Sequence, residues 1–479
     1  MTIFIVALAI FIIILAERCF TLTYLYQIKE YRFDRFRAFL KEDGIFKVLY
    51  GSKPRMPANT TRNMLIVLEA VIVINLICGA LALLHAPLLL VFSLILIAPF
   101  LAFLIVSDGV GATGLLAVYT RRRIIARARA KIAESDAIFI AITGSYGKTS
   151  VKEYLYTILS QKYRVAKTDA NMNTDVGVAL SVLKNLKPDT QYFITEAGAY
   201  RIGEIAAICG LIRPTYGILT AIANQHLALF GSRSKLISAK SELLAGLPKD
   251  GIIYINRDIE EYPKISKKTL AKIVSFSLNK KADIDATNIQ ISASGTSAFL
   301  EYKSRRIKVH TSLIGRHIVA NLMPAVALAI DLGVESADIE SAIKTLKAPN
   351  HTLQMKKGIG GSRVMDDSYN SSVEGFIAAI EAADQAKNPT KFIVSRGIIE
   401  LGNEKKDSYR RILKALEQSG KIELLTTDKL FAMLGGAVYI RLFNSERTMQ
   451  NYIQKVADHD TLIVLEGKFT PKFLQTIIK

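Results

Sequence analysis

Three long apolar runs open the chain, and short apolar segments alternating with amphipathic ones follow them. The runs cover residues 2–16, 64–84 and 87–106. The last two are each about the 20 residues that a helix needs to cross a bilayer, and only His85 and Ala86 separate them, which predicts a helical hairpin. The first run is short for a span, so a signal peptide is the alternative. Against it, no basic segment precedes the run, and Glu17 and Arg18 follow it instead of a small-residue cleavage site.

From about residue 136 onward, the alternation of strand-length apolar runs with helical segments predicts an α/β fold with a mainly parallel sheet. Residues 286–314 change to a period-two pattern typical of antiparallel strands, and a second α/β pattern begins near residue 363. We therefore predict a membrane region 1–107 that includes a cytoplasmic basic segment 17–63, a basic linker 108–135, a central domain 136–347 and a Rossmann-like C-terminal α/β domain 348–479.

A glycine-rich turn follows the apolar run 138–142 and precedes a helical segment. The turn comprises Gly144, Ser145, Tyr146, Gly147, Lys148, Thr149 and Ser150. Strand, glycine turn and helix N-terminus form the geometry that binds the phosphates of a nucleotide, because backbone N–H groups point at the ligand. Lys148 would reach the outer phosphates, and the Thr149 hydroxyl would ligate Mg²⁺. The turn is shorter than the common P-loop, with two residues instead of four between its glycines, but it predicts a P-loop-type domain that binds ATP and Mg²⁺.

Lysine and arginine clusters flank the apolar runs, between residues 18 and 62 and between residues 121 and 131. By the positive-inside rule, both flanks are cytoplasmic, which predicts three crossings of the cell membrane and catalytic domains in the cytoplasm. The net charge of +20 could instead indicate nucleic acid, but orientation and contact with anionic membrane lipid explain the clusters, and no RNA-binding signature is present. The three cysteines are scattered, without the spacing of a metal site or a disulfide framework.

Three further polar residues follow predicted strands or lie on predicted helices. Glu196 comes directly after the strand-like segment 192–195, where its carboxylate could complete the coordination of a Mg²⁺ ion held by Thr149. His226 closes the next strand and loop, and taken alone it is as consistent with packing as with chemistry. Lys240 taken alone is consistent with a solvated helix lysine.

The order and spacing of eight short motifs resemble the Mur ligase family over roughly residues 136–479. The motifs are Thr143–Thr149, Asn171–Asn173, Glu196–Ala199, Asn224–Ser232, Ala239–Glu242, Gly315–Asn321, Asp366–Asn370 and Glu400–Gly402. The last two are similar to those of the members that add D-alanyl-D-alanine to a peptidoglycan precursor.

The resemblance implies a role for each matching residue. Lys148 and neighbouring amides hold the ATP phosphates, Thr149 and Glu196 bind one Mg²⁺, and His226 binds a second. Lys240 matches a lysine that gains CO₂ and becomes an anionic metal ligand. Such a carbamate suits the site physically, because its oxygens bind a cation that a free ammonium would repel.

Further residues match positions that contact the nucleotide and the amine substrate. Asn321 matches an adenine-contacting asparagine, Asp366 or Asp367 an acid near the ribose, and 368–370 a segment near the incoming amine. The implied reaction is ATP-dependent: a carboxylate becomes an acyl phosphate, and an amine attacks it to form an amide. The expected partners are a nucleotide- or lipid-linked muramoyl peptide and D-Ala-D-Ala.

Two departures from the family pattern concern the substrates. Thr352 stands where the family usually has an arginine near the phosphates, and a neutral side chain cannot supply a bidentate fork. The small domain that grips the UDP part of the substrate has no counterpart, so either segment 17–63 contributes contacts or the acceptor is held differently. A membrane-bound poly-γ-glutamate synthase and a non-catalytic NTP-binding membrane scaffold are the alternatives to the ligase.

Overall fold

The computed structural model describes residues 2–29, 31–223, 230–292, 295–347, 354–368, 373–398, 401, 405–436 and 438–479. The chain divides into two compact units, Met1–Ile124 and Ile125–Lys479. Each unit is built around its own buried apolar side chains.

The first unit is helical. Its helices are α1 (Thr2–Ile28), α2 (Phe33–Asp43), α3 (Ile45–Gly51), α4 (Thr61–Leu83) and α5 (Leu88–Ala133), the last of which continues into the second unit. Three of them, α1, α4 and α5, are long and apolar enough to cross a membrane. Helix α1 continues well past the apolar run 2–16, and α5 continues through most of the predicted linker 108–135. Helix α1 is therefore long enough to span a bilayer, because the more polar segment that follows the apolar run is also helical.

Helices α1, α4 and α5 pack through small and apolar side chains, while α2 and α3 lie against them. Phe11 and Leu15 of α1 and Ala98 and Ala102 of α5 are fully buried. Most of the remaining apolar side chains of α1, α4 and α5 point outward and are exposed. An apolar exterior around a packed helical core is the arrangement expected of helices surrounded by lipid.

The second unit begins with a parallel sheet in the strand order β2-β3-β1-β4-β5-β6. Its strands are β1 (Ile138–Thr143), β2 (Val165–Lys167), β3 (Tyr192–Glu196), β4 (Tyr216–Leu219), β5 (Ile252–Asn256) and β6 (Lys272–Phe276). The helices along this part of the chain are α6 (Lys148–Leu159), α7 (Asp175–Asn185), α8 (Glu204–Ile212), α9 (Arg233–Ala245) and α10 (Tyr262–Ile265). Strands β1 and β3 are almost wholly buried, as in parallel sheets covered on both faces.

A three-stranded antiparallel sheet and two helices complete the central part. The strands are β7 (Asp285–Ser292), β8 (Gly295–Tyr302) and β9 (Arg305–Thr311), and the helices are α11 (Arg316–Asp331) and α12 (Ser336–Thr345). One face of β8 and β9 shares a core with α6 and α11, which includes Leu300, Val309 and Leu322. The period-two pattern of this segment therefore reflects one buried and one exposed face.

A second six-stranded sheet forms the C-terminal part, in the order β10-β11-β15-β12-β13-β14. Its strands are β10 (Gln354–Lys357), β11 (Arg363–Asp367), β12 (Thr390–Ser395), β13 (Glu423–Thr426), β14 (Ile440–Leu442) and β15 (Thr461–Glu466). The helices here are α13 (Val373–Asp384), α14 (Lys405–Gln418), α15 (Lys429–Leu434), α16 (Glu446–Val456) and α17 (Pro471–Ile477). Only the pairing of β10 with β11 is antiparallel among these strands. Both predicted α/β patterns are therefore confirmed as layered sheets.

The order of the first sheet decides which loops meet. Strand β1 lies between β3 and β4, and all three run parallel, so their carboxyl ends open at one edge. Glu196, the last residue of β3, is in register with Ile142 of β1. Ligands of open α/β sheets bind at such an edge, where neighbouring strands lead their chains to opposite sides.

Candidate active site

The loop between β1 and α6 has the shape of a phosphate-binding turn. Gly144 and Gly147 have φ values of 150° and 82°, a region that residues with a Cβ rarely adopt. Gly147 is the N-cap of α6, so the first amides of the helix and its positive dipole end face the loop. The geometry therefore suits the phosphates of a nucleotide.

The end of β4 fixes this loop in place. The Ser145 amide donates to the Ala221 carbonyl at 2.8 Å, and the Ala223 amide donates to the Ser145 hydroxyl at 2.9 Å. The Thr220 hydroxyl donates to the Tyr146 carbonyl at 2.5 Å. Because these contacts use backbone groups and short side chains, the loop is held rigidly at the sheet edge.

Lys148, the first residue of α6, folds over the loop. Its Nζ donates to the carbonyls of Gly144 at 2.8 Å and Ser145 at 3.2 Å. Burial lowers the pKa of Lys148, and the carboxylate of Glu196 opposes that shift. The ammonium group thus lies inside the loop, within reach of any phosphate bound there.

Glu196 is a buried carboxylate surrounded by donors. Its Oε2 accepts a hydrogen bond from the Thr149 hydroxyl at 3.0 Å and lies 3.4 Å from Nζ of Lys152, and its Oε1 accepts one from Asn173 at 3.2 Å. Burial alone would raise the pKa of Glu196, but the charges of Lys148 and Lys152 and the two hydrogen bonds hold it below its ordinary value. The group is therefore an anion beside the phosphate loop.

Thr149 and Glu196 offer the oxygen ligands that Mg²⁺ prefers. Mg²⁺ at phosphate sites takes one or two carboxylates and completes its shell with phosphate oxygens and water. Among the described residues, no three His, Cys, Asp or Glu side chains gather into a group that could hold a metal. A hydroxyl and a single carboxylate nevertheless fit a cation that is shared with a nucleotide.

Lys240, in helix α9, is buried rather than solvated, with 3% of its surface exposed. Burial, assisted by the positive charge of Lys148, lowers the pKa of Lys240 to about 7, although Glu204, Glu196 and Glu242 oppose the shift. A large fraction of the amine is therefore neutral at physiological pH, which is the form that reacts with CO₂.

Helix α11 contacts the phosphate loop through Asn321. A Cβ built on Gly147 would lie 2.5 Å from Oδ1 of Asn321, so the side chain of Asn321 contacts the loop itself. Burial lowers the pKa of His317 on the same helix to about 4, and its Nδ1 has no hydrogen-bond partner among the described residues. Helix α11 therefore brings the polar side chain of Asn321 to the phosphate loop, and His317 is buried near the start of the same helix beside Gly315.

The two acidic residues at the end of β11 differ in their surroundings. Asp366 is fully buried; its Oδ2 lies 2.6 Å from Nζ of Lys356, and its Oδ1 accepts hydrogen bonds from the hydroxyl and amide of Ser368 at 2.5 and 3.2 Å. Asp367 is 7% exposed, at the carboxyl edge of the second sheet. The oxygens of Asp366 are thus engaged by neighbouring residues of the same domain.

Comparison with known proteins identifies the family. A family model described as the Mur ligase middle domain matches residues 142–329. UDP-N-acetylmuramoyl-tripeptide–D-alanyl-D-alanine ligase of Escherichia coli is 33% identical over 328 residues, which cover 68% of this chain and 70% of that protein. The ligase of the same name from Bacillus subtilis is 27% identical over 331 residues, with coverages of 68% and 70%.

The chain belongs to the Mur ligase family. Solved structures agree with this assignment at the level of the fold. MurF from Acinetobacter baumannii superposes with a TM-score of 0.67 at 24% identity, over 74% of this chain and 79% of that one. MurF from Thermotoga maritima in complex with ADP gives 0.64 at 22%, over 73% and 80%. As a Mur ligase, the chain is an ATP-dependent enzyme that forms a C–N bond.

The structure brings together part of the set of residues predicted for the Mur ligase site. Gly144 to Ser150 and Glu196 meet at the carboxyl edge of the first sheet, and Asn321 contacts the phosphate loop. Asp366 and Asp367 lie at the corresponding edge of the second sheet. His226, Thr352, Tyr369, Asn370, Glu400 and Gly402 lie outside the described residues.

Sequence reasoning missed Lys152, Asn173 and His317. Lys152 lies one turn after Lys148, so the i, i+4 spacing placed both ammonium groups on one face of α6. Asn173 was part of a matched motif without an assigned role, and its contact with Glu196 depends on how the loop after β2 folds back. No pattern around His317 indicated that it would be buried with an Nδ1 that none of the described residues engages.

Proposed function

We propose that this Mur ligase joins D-Ala-D-Ala to the terminal carboxylate of a muramoyl tripeptide during peptidoglycan precursor synthesis. The names of its Escherichia coli and Bacillus subtilis relatives support these substrates. The observation that carries the chemistry is the contact of Thr149 with the Glu196 carboxylate, directly beside Lys148 and the phosphate loop. The site thereby gathers cationic groups and oxygen ligands at the place where a γ-phosphate would be transferred.

The proposed reaction proceeds in two steps. The acceptor carboxylate takes the γ-phosphoryl group of ATP and becomes an acyl phosphate, and ADP leaves. The amine of the dipeptide then attacks the acyl carbon, phosphate departs, and the amine loses a proton as the amide forms. Catalysis of such transfers is mainly positioning and neutralisation of charge. Lys148 and the amides at the start of α6 would hold the phosphates in line.

Metal binding is a separate element of the proposal. Thr149 and Glu196 would bind one Mg²⁺, and His226 a second, together with a carbamate on Lys240. Mg²⁺, when bound, would neutralise charge that develops on the phosphoryl oxygens. The lowered pKa and the burial of Lys240 support the carbamate, since both favour a neutral amine shielded from water.

The nucleoside end of ATP would be held by α11 and by the second sheet. Asn321 would contact the adenine, and its position against Gly147 supports this role. Asp366 or Asp367, at the end of β11, would lie near the ribose. Ser368 and the two residues after it would lie near the incoming amine.

We further propose that the first unit anchors the enzyme in the cell membrane, with the catalytic unit in the cytoplasm. Three helices of sufficient length and hydropathy support the anchor, and the basic clusters support the orientation. A membrane lipid partner and a nucleotide- or lipid-linked acceptor form part of this proposal.

ADP release by the full-length protein in vesicles tests the proposed reaction. Repeated turnover, beyond one ADP per enzyme molecule, should require both the muramoyl tripeptide and D-Ala-D-Ala; repeated turnover that needs neither substrate, or only one, contradicts the ligase. Nucleotide-linked and lipid-linked acceptors, supplied in parallel, identify the form that is used. At an ATP concentration well below the wild-type Kd, Lys148→Ala should reduce the release by about 10- to 150-fold, and Lys249→Ala, which alters an exposed lysine of the same unit, should preserve it.

A further inference from the structure

Helix α3 lies far along the membrane helices rather than at their cytoplasmic end. The Tyr50 hydroxyl donates to the carbonyl of Leu96, in the middle of the apolar stretch of α5, at 3.2 Å. Leu96 precedes Asp108, the first charged residue of α5, by twelve helical residues, or about 18 Å at 1.5 Å per residue. Helix α3 therefore reaches well inside the apolar zone that α5 defines.

Contacts with α1 give the same depth independently. The Arg18 guanidinium donates to the carbonyls of Ser52 at 2.9 Å and Leu49 at 3.4 Å, at the C-terminal end of α3. Arg18 precedes the end of α1 at Ile28 by ten residues, about 15 Å. It also pairs with Glu17 at 2.9 Å, so its charge is compensated. Two neighbouring helices thus place the end of α3 at a similar depth.

The chain then returns along α1 without forming a helix. The Arg55 amide donates to the Thr21 hydroxyl at 3.3 Å, the Arg55 guanidinium to the Tyr24 hydroxyl at 2.9 Å, and the Ala58 amide to Oε1 of Gln27 at 2.9 Å. Together with Arg18, these α1 side chains recur every three residues and form a polar stripe along one face. Pro54 and Pro57 have no N–H, so the returning segment has few donors to satisfy.

These hydrogen bonds between α1 and the returning segment satisfy backbone polar groups, as a bilayer requires. Non-helical backbone at membrane depth is tolerated only where protein groups or water satisfy its hydrogen bonds. The polar stripe of α1 supplies such partners for the carbonyl of Ser52 and the amides of Arg55 and Ala58. A stripe of this kind along α1 has a direct explanation if the segment beside it is inserted.

The outer face of α3 continues the lipid-facing surface of α5. Phe46 and Tyr50 are 77% and 45% exposed, while Val48 and Leu49, on the opposite face, are buried. Leu96, beside Tyr50, is 73% exposed. Lys47 is the charged residue of α3, and its Nζ lies 3.5 Å from Oδ1 of Asp43. Its apolar methylene groups can therefore cover apolar surface while its ammonium group points toward the end of α2.

We propose that α2 and α3 form a re-entrant hairpin, with the exposed face of α3 immersed among lipid acyl chains. The inference rests on the proposed membrane anchor. It replaces the expectation that all of segment 17–63 is cytoplasmic, and it leaves the termini of the three spanning helices on the sides assigned to them. The apolar run of α3 is too short to signal insertion by itself, which is why the sequence pattern did not reveal it.

Tryptophan fluorescence can test the depth directly, because the chain contains no tryptophan. We would prepare Phe46→Trp, with Phe100→Trp as the lipid-facing reference on α5 and Tyr439→Trp as the water-exposed reference, each in the full-length protein. Each would be reconstituted in phosphatidylcholine and phosphatidylglycerol vesicles. Quenching by acyl-brominated lipid and by aqueous iodide would be compared.

Phe46→Trp should be quenched by brominated lipid to within about twofold of Phe100→Trp, and it should be several-fold less sensitive to iodide than Tyr439→Trp. If Phe46→Trp instead responds like Tyr439→Trp while Phe100→Trp responds to brominated lipid, the hairpin lies at the surface and the inference is wrong. If brominated lipid quenches neither Phe46→Trp nor Phe100→Trp, the membrane anchor itself fails, and the hairpin inference fails with it.

Discussion

Polar side chains are wholly or partly buried in both units of this molecule, but they serve opposite purposes. At the phosphate loop, Lys148, Lys152 and Glu196 bring charges together at an edge where a ligand is expected. In the first unit, Arg18 and the other polar residues of α1 hydrogen-bond to the chain's own non-helical segment. The first group is positioned to bind a substrate, and the second group satisfies hydrogen bonds of the chain's own backbone.

The difference predicts how each region responds to substitution. A residue arranged for a ligand can be replaced with a smaller change in fold where its partners keep another contact, as Lys152 keeps the carboxylate of Glu153 at 3.7 Å. A residue that satisfies buried backbone groups leaves them unpaired when it is removed, and the local structure is lost. Activity and structure should therefore separate cleanly between the two units.

The largest effect is expected for Glu196→Gln. Removing the charge but keeping the shape should lower kcat by about 10²- to 10³-fold, as for other groups that stabilise transition-state charge. The thermal unfolding temperature should change little, and added Mg²⁺ should recover part of the activity. Glu260→Gln, at an exposed carboxylate, is the control. Full activity of Glu196→Gln at low Mg²⁺ would remove Glu196 from the site.

Lys148→Ala should weaken ATP binding by about 10- to 150-fold, because a charge-assisted hydrogen bond contributes roughly 1.5–3 kcal/mol. Binding can be measured by titration calorimetry with ATP and Mg²⁺. The variant should keep its membrane association and its unfolding transition. An unchanged Kd for ATP would contradict the assignment of the phosphate loop.

Lys240 should make activity depend on CO₂ and pH together. With a pKa of about 7, its neutral fraction rises roughly tenfold between about pH 6 and pH 8, so carbamylation should rise with it. In CO₂-depleted buffer, activity should therefore increase with pH, and bicarbonate should raise it most near neutrality. Lys240→Ala should be nearly inactive at any CO₂ level, whereas Lys235→Ala, an exposed position on α9, should keep the wild-type response. Indifference of the wild-type enzyme to CO₂ would exclude the carbamate.

The smallest effect on catalysis is expected for Arg18→Met. Loss of its two contacts with the end of α3 should destabilise the hairpin by about 1.5–3 kcal/mol. In the Phe46→Trp background, the emission should shift to longer wavelength and iodide quenching should rise. Affinity for ATP should stay unchanged, and Arg37→Met, at an exposed position on α2, should alter neither property. A loss of ATP binding in Arg18→Met would show that the two regions do not respond separately.

The sequence alone predicted the phosphate loop and the partner carboxylate because both depend on local or near-local rules. A glycine turn between an apolar strand and a helix defines Gly144–Ser150, and Glu196 follows from the rule that parallel strands end at one edge. Lys240 was assigned only through family resemblance, since its burial is decided by how α9 packs on the sheet. Contacts such as Asn173 with Glu196 depend on loop paths that periodicity does not describe.

The alternation of elements similarly predicted two α/β sheets, whereas only some of the helix boundaries of the first unit were predicted. The sequence pattern predicted C-terminal ends of α1 and α5 that lie too early in the chain, because the hydropathy falls while each helix continues. Helix α3 was assigned to a cytoplasmic segment on account of the basic residues around it. The number of basic residues describes the segment as a whole. The position of α3 depends instead on single contacts, such as that of Tyr50 with Leu96.

The polar stripe of α1 also has a consequence for the order of synthesis. The ribosome completes α1 before the segment that hydrogen-bonds to it, so the template exists when α2, α3 and residues 52–58 emerge. Leu96, the second support of α3, follows much later in the chain. We therefore expect the hairpin to assemble on α1 while translation continues, and to be clamped by α5 only after the second and third spans have entered the membrane.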